Sequence, residues 1–210
     1  MKEKRKERLT AFNKEAIIKE ANRLFLHKGM AKTTMDDIAS ASGYSKSTIY
    51  VYFKSKDDIF QHIILKCVIM IRDRLLEIRD IPEFYPEVCA LLIDIRDKNP
   101  VFFDSITGKT ILASGANVDP DVLRQTDETR EEIYSIILQR LEKSGVKGII
   151  RDDIDHLQLV YIVWSCIYGI IDMANAKSEY IRKRFKKDRN VFIREGLAQL
   201  LRLVIDPAKV

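Results

Sequence analysis

The sequence predicts an all-α protein of about nine helices, with a small three-helix unit at the N-terminus and a larger helical domain behind it. Three observations carry this. Glycine and proline number only 8 and 5 in 210 residues, so long helices run with few breakers. Apolar residues recur at helical spacing along most of the chain, with no alternating strand pattern and no internal repeat. Charge is unevenly placed: residues 1–60 carry 13 Lys and Arg against 8 Asp and Glu, whereas residues 61–210 carry 23 of each. The whole +5 excess therefore sits at one end, an electrostatic footprint for a polyanion, either nucleic acid or an acidic membrane surface.

Residues 1–10, MKEKRKERLT, read as a flexible basic arm too polar to fold alone. The first helix is expected from about Ala11 to Lys28, with Ile17, Ala21, Leu24 and Phe25 on one apolar face and Gly29 as a left-handed cap. Thr34 stands at an N-cap with Asp36 and Asp37 in the first turn, where acids oppose the positive helix end, and Thr34-x-x-Asp37 is an acidic form of the capping box. That second helix is short and reaches Ser42. Gly43 supplies a turn, Ser45 caps a third helix to about Phe53, and Lys54-Ser55-Lys56 breaks the chain before a long fourth helix to about Arg79. These marks divide the chain into domains at 1–56 and 57–210.

Beyond Ile81-Pro82, Glu87 to Asp97 reads as a helix, followed by a short one carrying Phe102, Phe103 and Ile106. Residues 107–117 are small and polar enough for a loop or a frayed helix. Pro120 opens a helix that Ser144-Gly145 closes after Lys143. Asp153 or Asp155 caps an apolar helix through Ala176. A basic stretch from Arg182 to Arg189, read as a solvated connector, precedes the last helix, about Asn190 to Ile205.

Residues 34–56, TMDDIASASGYSKSTIYVYFKSK, form the informative block. Two short helices joined by a glycine turn are the arrangement of a helix-turn-helix, whose second helix lies in the DNA major groove. Ile49 and Phe53 are expected to anchor that helix, leaving Ser45, Lys46, Ser47, Thr48, Tyr50, Val51 and Tyr52 outward. Hydroxyls, one lysine and two tyrosines suit hydrogen bonds to phosphates and base edges. Thr34 opens a helix whose backbone N–H groups suit a phosphate.

The wording of this block resembles the TetR (tetracycline-repressor-like) family. Its signature is met at Leu24-Phe25 and Gly29, at Thr34 to Ala39, and at Ala41, Gly43, Ser45, Thr48, Ile49, Tyr50, Tyr52, Phe53 and Lys56, without a gap across roughly residues 11–65. The resemblance implies phosphate contacts from Thr34, Tyr50, Tyr52 and Lys56, and groove contacts from Ser45, Lys46, Ser47 and Thr48. Val51 departs from the aromatic often found there, which leaves a thymine methyl or nothing as its contact. Tyr52 replaces a frequent histidine. The basic arm, through Lys2, Lys4, Arg5, Lys6 and Arg8, is either a further minor-groove or backbone contact or a solvated tail.

The helix from Asp155 to Ala176 is apolar nearly all round, so it must be covered on more than one side, either by a second subunit or wholly by the chain's own core. The resemblance implies a homodimer through the last two main helices. Leu159, Ile162, Val163, Cys166 and Ile170, with Phe192, Ile193, Leu197, Leu200, Leu201 and Val204, are the candidate interface. It also implies a small apolar or amphipathic ligand inside the helical domain, for which Cys67, Met70, Cys89, Phe102, Phe103, Ile106, Trp164 and Tyr168 are candidate lining residues. The function so implied is a ligand-released repressor bound as a homodimer to a palindromic operator in double-stranded DNA. A ligand-independent architectural protein, or an activator, would use the same head.

Other classes find little support. No Gly-rich phosphate loop, metal-spaced cluster or nucleophile elbow appears, so neither an enzyme nor a metal or cofactor is expected. Cys67, Cys89 and Cys166 are isolated among apolar residues, as reduced thiols of a cytoplasmic protein are. The longest apolar stretch, Leu159 to Ile171, has 13 residues, short of the roughly 18 of a spanning helix, and no membrane is expected.

Overall fold

The computed structural model describes residues 2–78, 84–106, 116–143 and 155–204; within the helices, the side chains of 2, 3, 84–86, 106, 141–143, 156 and 201–204 are outside the description. Ten α-helices and no strand occur among the described residues. They are α1 (Lys2–Lys28), α2 (Met35–Ser42), α3 (Lys46–Tyr52), α4 (Lys56–Glu77), α5 (Phe84–Lys98), α6 (Pro100–Ile106), α7 (Pro120–Lys143), α8 (His156–Ala176), α9 (Ser178–Phe185) and α10 (Arg189–Val204). The chain divides into two compact units, Met1–Met70 with Asn99–Thr129, and Ile71–Lys98 with Arg130–Val210, the divisions falling within α4 and α7.

The first unit is built around the N-terminal helices. α2 packs on α1 and against α3, and α6 also lies on α1. Ile17, Ala21 and Phe25 of α1, Ile38 of α2, Ile49 of α3 and Phe60 of α4 are fully or almost fully buried, and the Phe25 and Phe60 rings meet edge to face at 5.8 Å. Glycine ends two of these helices for the same reason. Gly29 and Gly43 stand at φ 82° and 73°, where a Cβ would crowd the backbone. Within the same unit, the buried Gln61 side chain of α4 donates to Thr126 Oγ1 of α7 at 3.0 Å.

In the second unit α8 is central: α10, α5 and α9 all pack on it. Asp155 caps α8 by accepting the Gln158 N–H at 2.6 Å. Arg140 of α7 donates to the carbonyls of Leu75, Leu76 and Ile78, which occupies the free acceptors at the end of α4. Arg189 forks onto Asp97 with both terminal nitrogens at 2.6 Å, tying the start of α10 to α5.

Four expectations need correction. Helix α1 begins at Lys2, not near Ala11, so the arm is a helical extension. Residues 2–10 contain no glycine or proline, and their Lys, Arg, Glu and Leu are good helix formers that extend an already nucleated helix. Half of the basic connector, Arg182 to Phe185, lies in a helix, α9, that turns Ile181 inward, and only Lys186 to Asp188 link it to α10. The apolar stretch was also counted too short: Leu157–Ala176, 20 residues, is long and apolar enough to cross a membrane by length and composition.

The fourth correction concerns which side of α8 is free. Leu159, Val163, Ile193 and Leu197, candidates for a subunit interface, are covered by the chain's own second unit. α8 and α10 pack on each other, and Ile170 lies close against Gly196. Cys166, Ile170, Phe192 and Leu200 are half-buried, and the side chains of Leu201 and Val204 are outside the described residues. Ile162 alone of that set is exposed, and with it Leu157, Tyr161, Gly169 and Met173 line a different, open side of α8.

Candidate nucleic-acid interface

The helix-turn-helix is fixed by short polar contacts at each helix start. Thr34 accepts the Asp37 N–H at 3.1 Å, while Asp37 Oδ2 accepts the Thr34 N–H at 2.8 Å and its hydroxyl at 2.7 Å. Lys28 adds a third hydrogen to the same oxygen at 2.6 Å, reaching from the end of α1. Together the ammonium and the Thr34 donors hold the Asp37 carboxyl down at about 2. A carboxylate that stays charged at the positive end of α2 stabilises the cap.

Past the Gly43 turn, Ser45 caps α3 by accepting the Thr48 N–H at 3.1 Å, and its hydroxyl also meets Ser47 Oγ at 2.8 Å and Thr48 Oγ1 at 2.7 Å. Ile49 and Phe53 are buried beneath α3. Its outer surface presents Ser45, Lys46, Ser47, Tyr50 and Val51 to solvent, with Thr48 and Tyr52 half-buried at its flanks. Val51 is the most exposed of them at 77%, an apolar tip on an otherwise hydroxyl-rich surface.

The cations around α3 are largely committed. Lys46 Nζ lies 2.9 Å from Asp36 Oδ2 of α2, and this partner raises its pKa. Lys56 differs from the expectation of a phosphate contact: its ammonium donates to the carbonyls of Met30 at 2.8 Å and Thr33 at 3.0 Å. Two of its three donors thus close the turn between α1 and α2. Tyr52 accepts from Asn13 Nδ2 at 3.0 Å, which leaves its own hydroxyl hydrogen free, while the Tyr44 hydroxyl donates to Asn13 Oδ1 at 2.9 Å. Asn13 and Asp36 were absent from the sequence-derived set. Partners 39, 31 and 10 positions apart leave no local spacing signal.

The candidate ligand-lining residues fall in both units. In the first, Phe102 and Phe103 are fully buried, Met70 is exposed, Cys67 is half-buried and the Ile106 side chain is outside the described residues. In the second, Cys89 is buried, and Trp164 stands edge-on to the buried Tyr168 at 5.2 Å. Burial pushes both Cys67 and Cys89 up to about 11, so they are thiols rather than thiolates at neutral pH. Tyr134 and Tyr161, whose rings lie 4.5 Å apart in the same unit as Trp164 and Tyr168, were not anticipated.

A family model described as bacterial regulatory proteins, tetR family, matches residues 17–63, the segment that carries the helix-turn-helix. The HTH-type transcriptional repressor BepR of Brucella suis is 25% identical over 169 residues, 80% of this chain and 69% of BepR. YerO of Bacillus subtilis, an HTH-type transcriptional regulator, is 54% identical over 44 residues, 21% of this chain and 15% of YerO. The FadR regulator of Bacillus subtilis, solved in complex with stearoyl-CoA, shares the fold at a TM-score of 0.62 and 18% identity, over 89% of this chain and 96% of that one.

Proposed function

We propose that this chain, whose residues 17–63 match the tetR family of bacterial regulatory proteins, is a homodimeric repressor that grips a palindromic operator with α3 and lets go when a small amphipathic molecule binds its helical domain. The observation that carries the DNA reading is the outer surface of α3, where Ser45, Lys46, Ser47, Tyr50 and Val51 stand in solvent above buried Ile49 and Phe53. A short helix held from below and polar above fits a major groove, and its hydroxyls bond to base edges without burying charge. On this reading the head proper is 1–56 and the remainder, 57–210, senses and dimerises. BepR, a repressor, supports the direction of regulation, and the stearoyl-CoA held by FadR supports a ligand with an apolar tail.

Selection from a random pool of DNA duplexes tests the first part. The wild-type protein should enrich a two-fold symmetric sequence, since a dimer reads two half-sites one helical turn or a multiple apart. Lys46→Ala with Tyr50→Ala should remove that preference while the far-UV circular dichroism stays helical. Undiminished affinity of the double variant for the selected sequence refutes the assignment of α3. Release is tested by adding a panel of long-chain acyl thioesters and other amphiphiles to the complex, where dissociation together with thermal stabilisation of the protein is expected. Stabilisation of neither kind across the panel removes the ligand from the proposal.

For the dimer, the open side of α8 is the surface in question. Leu157, Tyr161, Ile162 and Met173 are each between 44% and 49% exposed, an apolar run that a lone subunit leaves in water. Ile162→Glu places a carboxylate in the middle of it. Sedimentation equilibrium is expected to report a dimer for the wild type and a monomer for the variant; a variant that stays dimeric moves the interface elsewhere.

A further inference from the structure

We propose that the first turns of α1 form a second DNA-contacting element, one that grips phosphates flanking the sequence read by α3; the proposal rests on the operator-binding reading above and adds to it where the grip comes from. Among the described residues, the lysines near α3 are engaged. Lys28 is paired with Asp37, Lys46 with Asp36, Lys54 with Asp119 and Lys66 with Glu15, and Lys56 is bound to two carbonyls. Lys4, Arg5, Lys6 and Arg8 are the contrast. All four are exposed, and none makes an ion pair or hydrogen bond among the described residues. Apart from Lys32 in the turn after α1, the unspent positive charge of the head therefore lies on α1, not on the recognition helix.

Placement and cost both point to a polyanion. Asn13 binds the hydroxyls of Tyr52, at the end of α3, and of Tyr44, in the turn before it, so this point of α1 stands beside the recognition helix. Lys6, two turns earlier, shares the Asn13 face of the helix. At about 1.5 Å per residue, Lys4 lies some 14 Å along the axis from Asn13, roughly four nucleotides of one strand. Lys2, Lys4, Arg5, Lys6 and Arg8 against Glu3 and Glu7 leave an excess of cations at the positive end of a helix dipole, which opposes the helix they sit on. Nothing in the fold is stabilised by that arrangement, whereas a row of phosphates neutralises it. Because the segment is helical from Lys2, it meets DNA as a rod along the backbone rather than as a thread in the minor groove.

The test compares the full-length wild type with Lys4→Gln, Arg5→Gln, Lys6→Gln and Arg8→Gln combined, on the selected duplex and on a scrambled one, across a salt series. The variant should bind both duplexes at least tenfold more weakly near 0.15 M salt, with the log–log salt slope reduced by roughly 0.9 per lost phosphate contact. The ratio between selected and scrambled duplex should stay as in the wild type. Glu7→Gln, which leaves the cations in place, should tighten both. Equal slopes and affinities for wild type and variant overturn the proposal, as does a loss of sequence preference at unchanged slope. Binding of the segment to anionic lipid vesicles with no effect on DNA would overturn it in favour of a membrane surface. Should the wild type select no sequence, the operator reading fails, and the slopes on scrambled duplex still decide the present proposal by the same criterion.

Discussion

Phe53→Ala is expected to cost the first unit about 3–5 kcal/mol, the range for removing a fully enclosed aromatic ring. Phe53 is 1% exposed, and its ring packs edge-on to His62 at 5.0 Å with Lys14 Nζ 5.7 Å from its centre. Its backbone ends α3: the N–H closes the last turn onto Ile49 O at 2.9 Å while φ of −140° turns the chain out of the helix. One residue thus terminates the recognition helix through its backbone and, through its ring, pins that end to α1 and α4. With domain stabilities of about 5–15 kcal/mol, a deficit of that size takes a large share of the unit's margin. Guanidinium unfolding followed by circular dichroism measures it. Val51→Ala, on the same helix but 77% exposed, is the control and should stay within about 0.5 kcal/mol of wild type. A Phe53→Ala loss no larger than the control's would mean that α3 is held by something other than this ring.

What the sequence made legible was local. The Thr34-x-x-Asp37 capping box, the Gly29 and Gly43 turns, Ser45 as a cap and Pro120 at a helix start each announce themselves within four residues, and the cap of α8 narrows to Asp153 or Asp155, because caps and turns are short-range chemistry. The buried stripe Ile17, Ala21, Phe25 and the anchors Ile49 and Phe53 follow from helical spacing alone. Contacts between distant segments left no such trace. Nothing in the neighbourhood of Lys56 foretells that its ammonium seals the carbonyls of Met30 and Thr33, and nothing near Asn13 foretells Tyr44 and Tyr52. The apolar faces of α8 were beyond sequence for a related reason. When nearly every side of a helix is apolar, periodicity cannot say which side the chain itself covers, and the structure turns Leu159 and Val163 inward while leaving Tyr161 and Ile162 in solvent.

The second large effect is expected from Asp58, a buried carboxylate at the start of α4. Its Oδ2 accepts the Lys54 N–H at 2.8 Å and its Oδ1 accepts the Asp119 N–H at 3.0 Å, with only 1% of the residue exposed. Ser55 works beside it, accepting the Asp58 N–H at 3.0 Å and donating to Asn117 O at 2.7 Å. The three-residue link after α3 is thereby stitched, through Lys54 and Ser55, to the segment that leads into α7, in the same unit. Asp58→Ala strands two part-buried backbone donors, at about 1–3 kcal/mol each, so a loss of about 2–6 kcal/mol in unfolding free energy is expected. Asp58→Asn keeps one acceptor and turns an NH2 towards the other donor, so it should recover part of that loss and no more. The functional readout follows from geometry: Lys54 and Ser55 fix where α3 ends, so affinity for the selected duplex should fall in the same order, Ala below Asn below wild type. A fully stable Asp58→Ala protein would show that the two N–H groups find other acceptors, and that this carboxylate does not set the exit of the recognition helix.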